Sequence, residues 1–368
     1  MEQINMSQDE YEFISKPVYL NEHVELIRGA NNEPMLYHQL NKKYIRISTF
    51  SLEVLKLMDG TNTAKDIANI LQSEYDIDRD IFENIHDFLT TLRKSGVLNL
   101  EPLHEKGIKK VVNKISKKPM LSFPLVKSLD LINNRLLAIY RLLPRKFRSY
   151  FWYLLISGAI TAYILFFIFG FSTDFSKVNW LLLIPIVISN LIIHELAHSV
   201  VTKGYGISIR EAGVALLYYF LPVAYVDRTD TYRLKSKKSR IHIAIAGPYS
   251  DFVIGGMWAL TATVIPYDGV SQFAQIVALV QLLFVFNNLN LLLPTDGYHA
   301  VEALVGELSL RRRALYYLFS VITFRSAPNY IALNKKKKFV YFTYSFVSLS
   351  YFLILVSGIL ILVKNELH

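Results

Sequence analysis

Three ionisable side chains lie within five residues of an otherwise apolar stretch, NLIIHELAHSV at 190–200. On a helix, His194 and His198 are four residues apart and lie on one face, so both imidazoles can reach the same metal ion. Glu195 then lies beside that ion, where its carboxylate can take a proton from a water molecule. The pattern H-E-x-x-H therefore predicts a zinc centre with Glu195 as its general base.

The apolar setting decides between this interpretation and a chance match. In a polar, soluble helix the same pattern is common enough to be weak evidence. At membrane depth, however, each ionisable group costs about 2.5 kcal/mol or more by insertion scales. Three such groups without a shared partner are therefore unfavourable, and one zinc ion would supply that partner.

The helix that carries the motif is predicted to be one of five membrane spans. Hydrophobic residues make up 52% of the 368-residue chain, too many for an ordinary soluble enzyme. Five apolar runs reach the length of about 20 residues that a spanning helix needs. These runs are 151–171, 178–201, 241–265, 273–293 and 339–363. A shorter run, 212–226, has only 15 residues and favours a re-entrant or interfacial element.

The distribution of basic residues predicts the orientation of these spans. Residues 203–240 and 294–338 carry eight Lys and Arg each, whereas 172–177 and 266–272 carry one between them. The positive-inside rule therefore puts the two long loops and the N-terminus in the cytoplasm, the C-terminal tail outside, and the motif in the cytoplasmic half of span two. The basic stretch before the first span, 103–150, is interpreted either as a linker on anionic lipid or as a solvated tether.

A catalytic zinc ion usually has three protein ligands and one open position. Because the chain has no cysteine, the third ligand must be another histidine or a carboxylate. Asp296 is the best candidate, since spans two and four would end on the same side of the membrane at similar depth. Asp251, about ten residues into span three, is the alternative, although a polar contact between helices also explains it. His242 and His299 lie near span ends and are interpreted as interfacial.

Three motifs in this order, HELAH, AGPYSD and NLNLLLPTDG, resemble the site-2 protease family of intramembrane zinc metalloproteases. The stretch AYVDRTDTYRLKSKKSRIHIAIAGPY at 224–249 is similar to a bacterial branch of peptide zinc metalloproteases. The resemblance covers about residues 150–300. It implies one Zn²⁺ ion bound by the two motif histidines and Asp296, with Glu195 as the general base.

The same resemblance makes Asn288 and Asn290 substrate-binding residues, with Asn288 as a contact to the substrate backbone or the oxyanion. The chain departs from the family pattern at three positions: Thr295 replaces a hydrophobic residue, Leu291 a proline, and Asp251 the asparagine that often follows A-G-P. None of these three departures removes an implied zinc ligand or the general base. They concern the positioning of the substrate instead. Thr295 could donate a hydrogen bond to the neighbouring ligand.

The first 102 residues are predicted to form a separate soluble domain. LYHQL and YIRIS flank NKK in a hairpin pattern over 36–48. Three helical patterns follow, at 49–60, 63–75 and 79–98. Asn62 or Thr63 would cap the second helix, and Gly96 would end the third. Strands followed by short helices predict an α+β, winged-helix-like fold. With 16 acidic against 10 basic residues in the first 100, no nucleic acid partner is predicted.

Within this domain, IRIS, LMDGTNTAKDIANIL and FLTTLRKSGVL resemble the pyrroloquinoline quinone biosynthesis protein D-like domain. That domain recognises leader peptides of ribosomally made, modified peptides. The resemblance covers residues 30–100, and it implies that a leader peptide adds as a strand beside the hairpin. A generic regulatory or dimerisation domain is the alternative interpretation.

These patterns together predict a polytopic α-helical membrane protein, with about five spans plus a re-entrant element, and a soluble N-terminal α+β domain. Four segments are expected along the chain. They are 1–102 for peptide recognition, 103–150 for the basic linker, 151–303 for the protease core, and 304–368 for a basic loop and the last span.

The predicted function is a zinc endopeptidase of the bacterial plasma membrane that cuts the leader from a precursor such as a bacteriocin, in the cytoplasmic half of the bilayer. A strand-like edge at 207–226 could hold the extended substrate. The expected partners are a peptide or membrane-protein substrate and the lipid bilayer, and a peptide exporter is left open. One alternative is a non-proteolytic partner for peptide export or self-immunity, which the complete ligand and base set disfavours. The other is a protease of stress signalling, which would not explain the N-terminal domain.

Overall fold

The computed structural model describes residues 15–366, apart from 77–79, 101–119, 170–178, 218, 220, 266–267 and 324–334. The chain divides into two compact units, residues 1–119 and 120–368. The predicted end of the soluble domain at residue 102, and the basic stretch 106–118 of the linker, lie outside the described residues.

The N-terminal unit consists of a small antiparallel sheet and three helices. Its strands are β1 (Val24–Arg28), β2 (Pro34–His38) and β3 (Lys43–Arg46), in the order β1-β2-β3. Its helices are α1 (Thr49–Leu57), α2 (Ala64–Glu74) and α3 (Phe82–Lys94). The predicted hairpin is β2 with β3, where Leu36 lies opposite Ile45, and the three predicted helices are all present. Strand β1 was not predicted from the sequence.

Local signals in the sequence set the ends of these helices. Thr63, rather than Asn62, caps α2: its hydroxyl accepts from the backbone N–H of Asp66 at 3.3 Å, while Asp66 accepts from the backbone N–H of Thr63 at 2.9 Å. After α3, Gly96 has a φ of 70°, which glycine adopts without strain, and the chain turns back into the core. The core below the sheet is formed by fully buried aliphatic residues, including Leu36, Ile67 and Leu89.

The second unit contains the membrane helices. Five helices in the described part of the chain are long and apolar enough to cross a membrane. They are α5 (Arg145–Ile168), α6 (Trp180–Gly204), α7 (Lys237–Val264), α8 (Asp268–Asn288) and α11 (Lys335–Glu366). Three shorter helices accompany them: α4 (Asp130–Leu142), α9 (Asp296–Val305) and α10 (Leu310–Ile322). The predicted fold class and the five spans are confirmed.

The fourth span ends earlier than its hydropathy suggests. The apolar run continues to residue 293, but helix α8 stops at Asn288. Beyond it, the side-chain oxygen of Asn290 accepts hydrogen bonds from the backbone N–H groups of Leu292 and Leu293, at 2.9 and 3.3 Å. An asparagine that bonds the backbone a few residues ahead favours a turn over helix, and Pro294 follows.

The short apolar run at 212–226 is a β-hairpin. Strands β5 (Ala212–Leu217) and β6 (Leu221–Val226) pair antiparallel, and β4 (Met120–Val126) completes a sheet in the order β4-β5-β6. A Cβ at Gly213 would overlap the carbonyl oxygen of Phe123, so the glycine allows β4 to lie this close. Strand β4 belongs to the stretch predicted as a linker, and its pairing with a segment some ninety residues later was not predicted.

Helix α7 is the centre of this unit, because it packs against α5, α6, α8 and α9. Close approach is possible where the helix has no side chain. A Cβ at Gly256 would lie 2.7 Å from Ala159 of α5, and one at Gly255 would overlap the hydroxyl of Tyr163. The A-G-P-Y-S-D motif lies on this central helix, beside the helix that carries H-E-x-x-H.

Candidate metal centre

The three side chains predicted to bind the metal meet in the structure. Nε2 of His194 lies 3.2 Å from Nε2 of His198, and Oδ2 of Asp296 lies 3.1 and 3.0 Å from these two nitrogens. All three residues are buried, and their ligand atoms fall within 4.8 Å of one another. Tetrahedral zinc with bonds of about 2.0–2.1 Å separates its ligand atoms by roughly 3.3 Å. Two imidazole nitrogens and one carboxylate oxygen at these distances therefore fit a zinc ion.

Helix α6 supplies the two histidines from one face. His194 and His198 are 6% and 0% exposed, so this face of the helix is turned into the protein. Asp296 comes from a different element, as the first residue of α9. A Cβ at the next residue, Gly297, would lie 2.5 Å from the carbonyl oxygen of Leu289 at the end of α8. The Asp-Gly pair therefore combines a ligand with the close approach that brings it to the histidines.

Each imidazole also has a partner on its other nitrogen. Nδ1 of His194 lies 2.8 Å from Oδ2 of Asp251, and Nδ1 of His198 lies 2.6 Å from the carbonyl oxygen of Ile243. Both partners belong to α7. With a proton on each Nδ1, these contacts orient the rings and leave both Nε2 atoms for a metal. Asp251, the alternative third ligand, thus lies on the far side of His194 from Asp296.

Gly247 explains why A-G-P lies next to the site. A Cβ at this position would overlap Cε1 and Nε2 of His194 and Nε2 of His198. The backbone of α7 therefore forms one wall of the candidate centre, and only glycine leaves room for both imidazoles.

Glu195 is half-buried beside the two histidines. Its carboxylate accepts a backbone hydrogen bond from Val226, the last residue of β6, and it interacts electrostatically with Arg228, His194 and Asp296. This position suits a base that acts on a water molecule at the centre. It also connects the end of strand β6 with the H-E-x-x-H helix.

The neighbours of Asp296 favour its ionised form. Burial opposes ionisation, but the adjoining imidazoles of His194 and His198 and the charge of Arg228 outweigh it and hold the pKa of the Asp296 carboxyl below its ordinary value. The Arg228 contact was not predicted from the sequence. Nη2 and Nη1 of Arg228 lie 3.3 and 3.4 Å from Oδ1 of Asp296. The available signal was a basic residue two positions beyond the end of strand β6, among apolar segments.

The two asparagines predicted to bind substrate lie near the centre but not among its ligands. Nδ2 of Asn288 is 3.5 Å from Oδ2 of Asp251. Asn290 donates to the hydroxyl of Tyr351 at 2.9 Å and holds the turn before α9. Their roles as substrate contacts stay predictions. Thr295 donates to the carbonyl oxygen of Asn290 at 2.6 Å rather than to the neighbouring Asp296 carboxylate.

The two remaining histidines near span ends have other partners. His242 Nδ1 lies 2.5 Å from the hydroxyl of Tyr205, and His299 Nδ1 lies 2.9 Å from Oε2 of Glu302. Neither belongs to the cluster of His194, His198 and Asp296.

Comparison with known proteins gives two family matches, one in each half of the chain. Residues 33–98 match the model for coenzyme PQQ synthesis protein D (PqqD), and residues 182–267 match the model for peptidase family M50. Both resemblances inferred from the sequence, to PqqD-like domains and to site-2 proteases of the M50 type, are thereby confirmed. No solved structure matches the chain.

Three related proteins share parts of the sequence. The putative peptide zinc metalloprotease protein YydH of Bacillus subtilis is 26% identical over 134 residues, which cover 34% of this chain and 53% of that protein. A zinc metalloprotease of Methanocaldococcus jannaschii is 29% identical over 150 residues, 38% of this chain and 39% of that protein. An uncharacterized protein of the same organism is 38% identical over 74 residues, 19% of this chain and 20% of its own length. The chain thus spans about half or less of these relatives.

Proposed function

We propose that this chain is a membrane zinc metallopeptidase in which His194, His198 and Asp296 bind one zinc ion and Glu195 is the general base. One observation carries the proposal: two imidazole nitrogens and a carboxylate oxygen from α6 and α9 lie 3.0–3.2 Å apart. The match of residues 182–267 to peptidase family M50 supports the same assignment, as do the names of two relatives.

The proposed reaction is hydrolysis of a peptide bond. Zinc at this position supplies Lewis-acid activation of a water molecule and of the peptide carbonyl. Glu195 accepts a proton from the attacking water and returns it to the leaving amine, so that the proton balance closes within one turnover. Asp251 and the carbonyl of Ile243 keep both imidazoles oriented throughout, since they contact only the Nδ1 atoms.

The substrate in this proposal is an extended peptide segment. In a helix the carbonyl groups are hydrogen-bonded and covered, so the chain must open before attack. Strand β6 lies at one end of its sheet, and its last residue contacts Glu195. A peptide that adds to β6 by main-chain hydrogen bonds would carry its carbonyls toward the zinc and the base.

The N-terminal domain is proposed to capture a leader peptide of a precursor, with 1–102 as the recognition segment and 151–303 as the protease core. The match to PqqD and the word "peptide" in the name of the Bacillus subtilis relative support this choice. Deletion of residues 1–100 should then weaken binding of the precursor and leave zinc content unchanged, because the proposed ligands all belong to the other unit. Unchanged precursor affinity would contradict the recognition role.

The peptidase proposal is tested by separating metal binding from cleavage. Glu195→Gln should retain about one zinc ion per chain and lose cleavage of fluorescein-labelled casein, an unstructured probe. The paired change His194→Ala/His198→Ala should lose both zinc and cleavage. Glu22→Gln, the same chemical change at a side chain that is 85% exposed, is the matched control. Persistent turnover in Glu195→Gln would move the base elsewhere, and full zinc content in the paired variant would refute the metal centre.

A further inference from the structure

The carboxylate of Asp296 divides its two oxygens between different partners. Oδ2 lies 3.1 and 3.0 Å from the Nε2 atoms of His194 and His198. Oδ1 lies 3.3 and 3.4 Å from Nη2 and Nη1 of Arg228. The guanidinium therefore contacts the oxygen that does not face the imidazoles. Arg228 belongs to none of the three motifs H-E-x-x-H, A-G-P and Asp-Gly.

The turn that carries Arg228 has a fixed backbone. Oδ1 of Asp227 accepts from the backbone N–H of Thr229 at 2.9 Å, which is an Asx turn. The carbonyl oxygen of Arg228 itself accepts from the backbone N–H of Thr231 at 2.9 Å and from its hydroxyl at 2.7 Å. These bonds begin directly after strand β6. Because the backbone is held on both sides, the guanidinium reaches Asp296 from a defined position.

The contact lies in a buried setting. Asp296 is 7% exposed, and the side chain of Arg228 is 25% exposed. A buried carboxylate oxygen needs a hydrogen-bond partner, and the guanidinium of Arg228 supplies one for Oδ1.

We propose that Arg228 is a positioning residue of the metal centre. It holds Oδ1 of Asp296, so that this ligand offers the metal Oδ2 alone. This inference rests on the proposed zinc site. A carboxylate with both oxygens free can bind a metal through both. Binding of that kind would occupy the position that a catalytic zinc site keeps open for water.

The test uses cobalt(II) in place of zinc, because its visible absorption depends on the number and geometry of its ligands. Full-length chain in detergent is loaded with Co²⁺ as wild type, Arg228→Gln and Arg228→Lys. In Arg228→Gln the released Oδ1 joins Oδ2 on the metal, so the absorption shifts and loses intensity, as expected for a more highly coordinated ion. Arg228→Lys keeps the charge and one donor group, and it restores the wild-type spectrum at least in part.

Arg233→Gln is the matched control, since it removes the same charge from the same turn. Its side chain is 41% exposed, and its Nε lies 4.0 Å from Asp230, so its cobalt spectrum should equal that of wild type. An Arg228→Gln spectrum identical to wild type, with cobalt bound, overturns the assignment of Arg228 and leaves the proposed peptidase standing. Equal spectral changes in both glutamine variants also overturn it. Wild-type chain that takes up neither Co²⁺ nor Zn²⁺ overturns the proposed function and this inference together.

Discussion

Gly247 is the residue at which the candidate centre is most sensitive to added volume. Its missing side chain is the space that the two imidazoles occupy, since a Cβ there would overlap atoms of both His194 and His198. We therefore expect Gly247→Ala to displace at least one Nε2 and to lower zinc content well below that of wild type, measured as bound zinc per purified chain. Gly247 lies inside helix α7, and both imidazole rings are buried, so moving either the helix backbone or the rings would disturb close packing.

Gly158→Ala is the control for that variant. Gly158 also lies within a membrane helix, but a Cβ there would meet nothing within 4 Å. It should retain wild-type zinc. If Gly247→Ala also retained it, the close approach of α7 to the histidines would be contradicted.

Single residues could be predicted from the sequence where one local pattern carried them. His194, Glu195 and His198 follow from helical spacing, and the structure brings Asp296 to the histidines as expected. Arg228 could not be found in this way, because its contact with Asp296 joins positions 68 residues apart. Such a contact depends on where the segment after β6 lies. The position of that segment depends on the pairing of all three strands in the sheet. Asp251 was considered as an alternative third ligand. Its carboxylate contacts Nδ1 of His194 rather than Nε2, and this depends on the orientation of the imidazole ring, which the sequence does not specify.

At the scale of elements, the centre depends on how α9 begins beside the end of α8. Gly297 allows this approach, and Asn290 holds the intervening turn. A Cβ at Gly297 would lie 2.5 Å from the carbonyl oxygen of Leu289 and 2.8 Å from its Cα, and neither backbone atom can move alone. Gly297→Ala should therefore shift α9 and the Asp296 carboxylate with it. We expect zinc affinity to fall by about 10–100-fold, the usual effect of disturbing the support of a ligand.

Competition with a chelator of known affinity measures this change. Gly269→Ala is the control, because it lies at the start of α8 and an added Cβ there meets nothing within 4 Å. Its affinity should match wild type. Equal affinities for all three proteins would mean that the start of α9 does not determine the position of the ligand.

Elements with strong local signals were predicted well, and elements that depend on distant pairing were not. Hydropathy gave all five spanning helices, and helical patterns gave the three helices of the N-terminal unit, with capping residues marking the start of the second and the end of the third. Strands β1 and β4 were missed, because each is specified by pairing with a later strand rather than by its own pattern. The end of α8 was predicted at residue 293 instead of Asn288. Hydropathy does not register the side-chain hydrogen bonds of Asn290, which favour a turn.

At the scale of the whole molecule, the orientation in the membrane determines which compartment supplies the substrate. Eight basic residues in each of 203–240 and 294–338 predict that these segments are cytoplasmic, and that 266–272 is outside. The metal centre would then lie in the cytoplasmic half, and the N-terminal domain would meet newly made precursors. The opposite orientation would make the N-terminal domain useless for capturing a cytoplasmic leader peptide.

The absence of native cysteine makes this orientation directly measurable, because a single introduced cysteine is the only thiol in the chain. Lys235 and Gly269 are both exposed; Lys235 lies just before α7, and Gly269 lies after it, at the start of α8. In intact cells, a membrane-impermeant maleimide should label Gly269→Cys but not Lys235→Cys, which should react once the membrane is opened. The reverse pattern would contradict the cytoplasmic N-terminus and move the proposed cut site to the other half of the bilayer. Equal labelling of both in intact cells would mean that α7 does not cross the membrane, and the charge argument for the depth of the metal centre would fail with it.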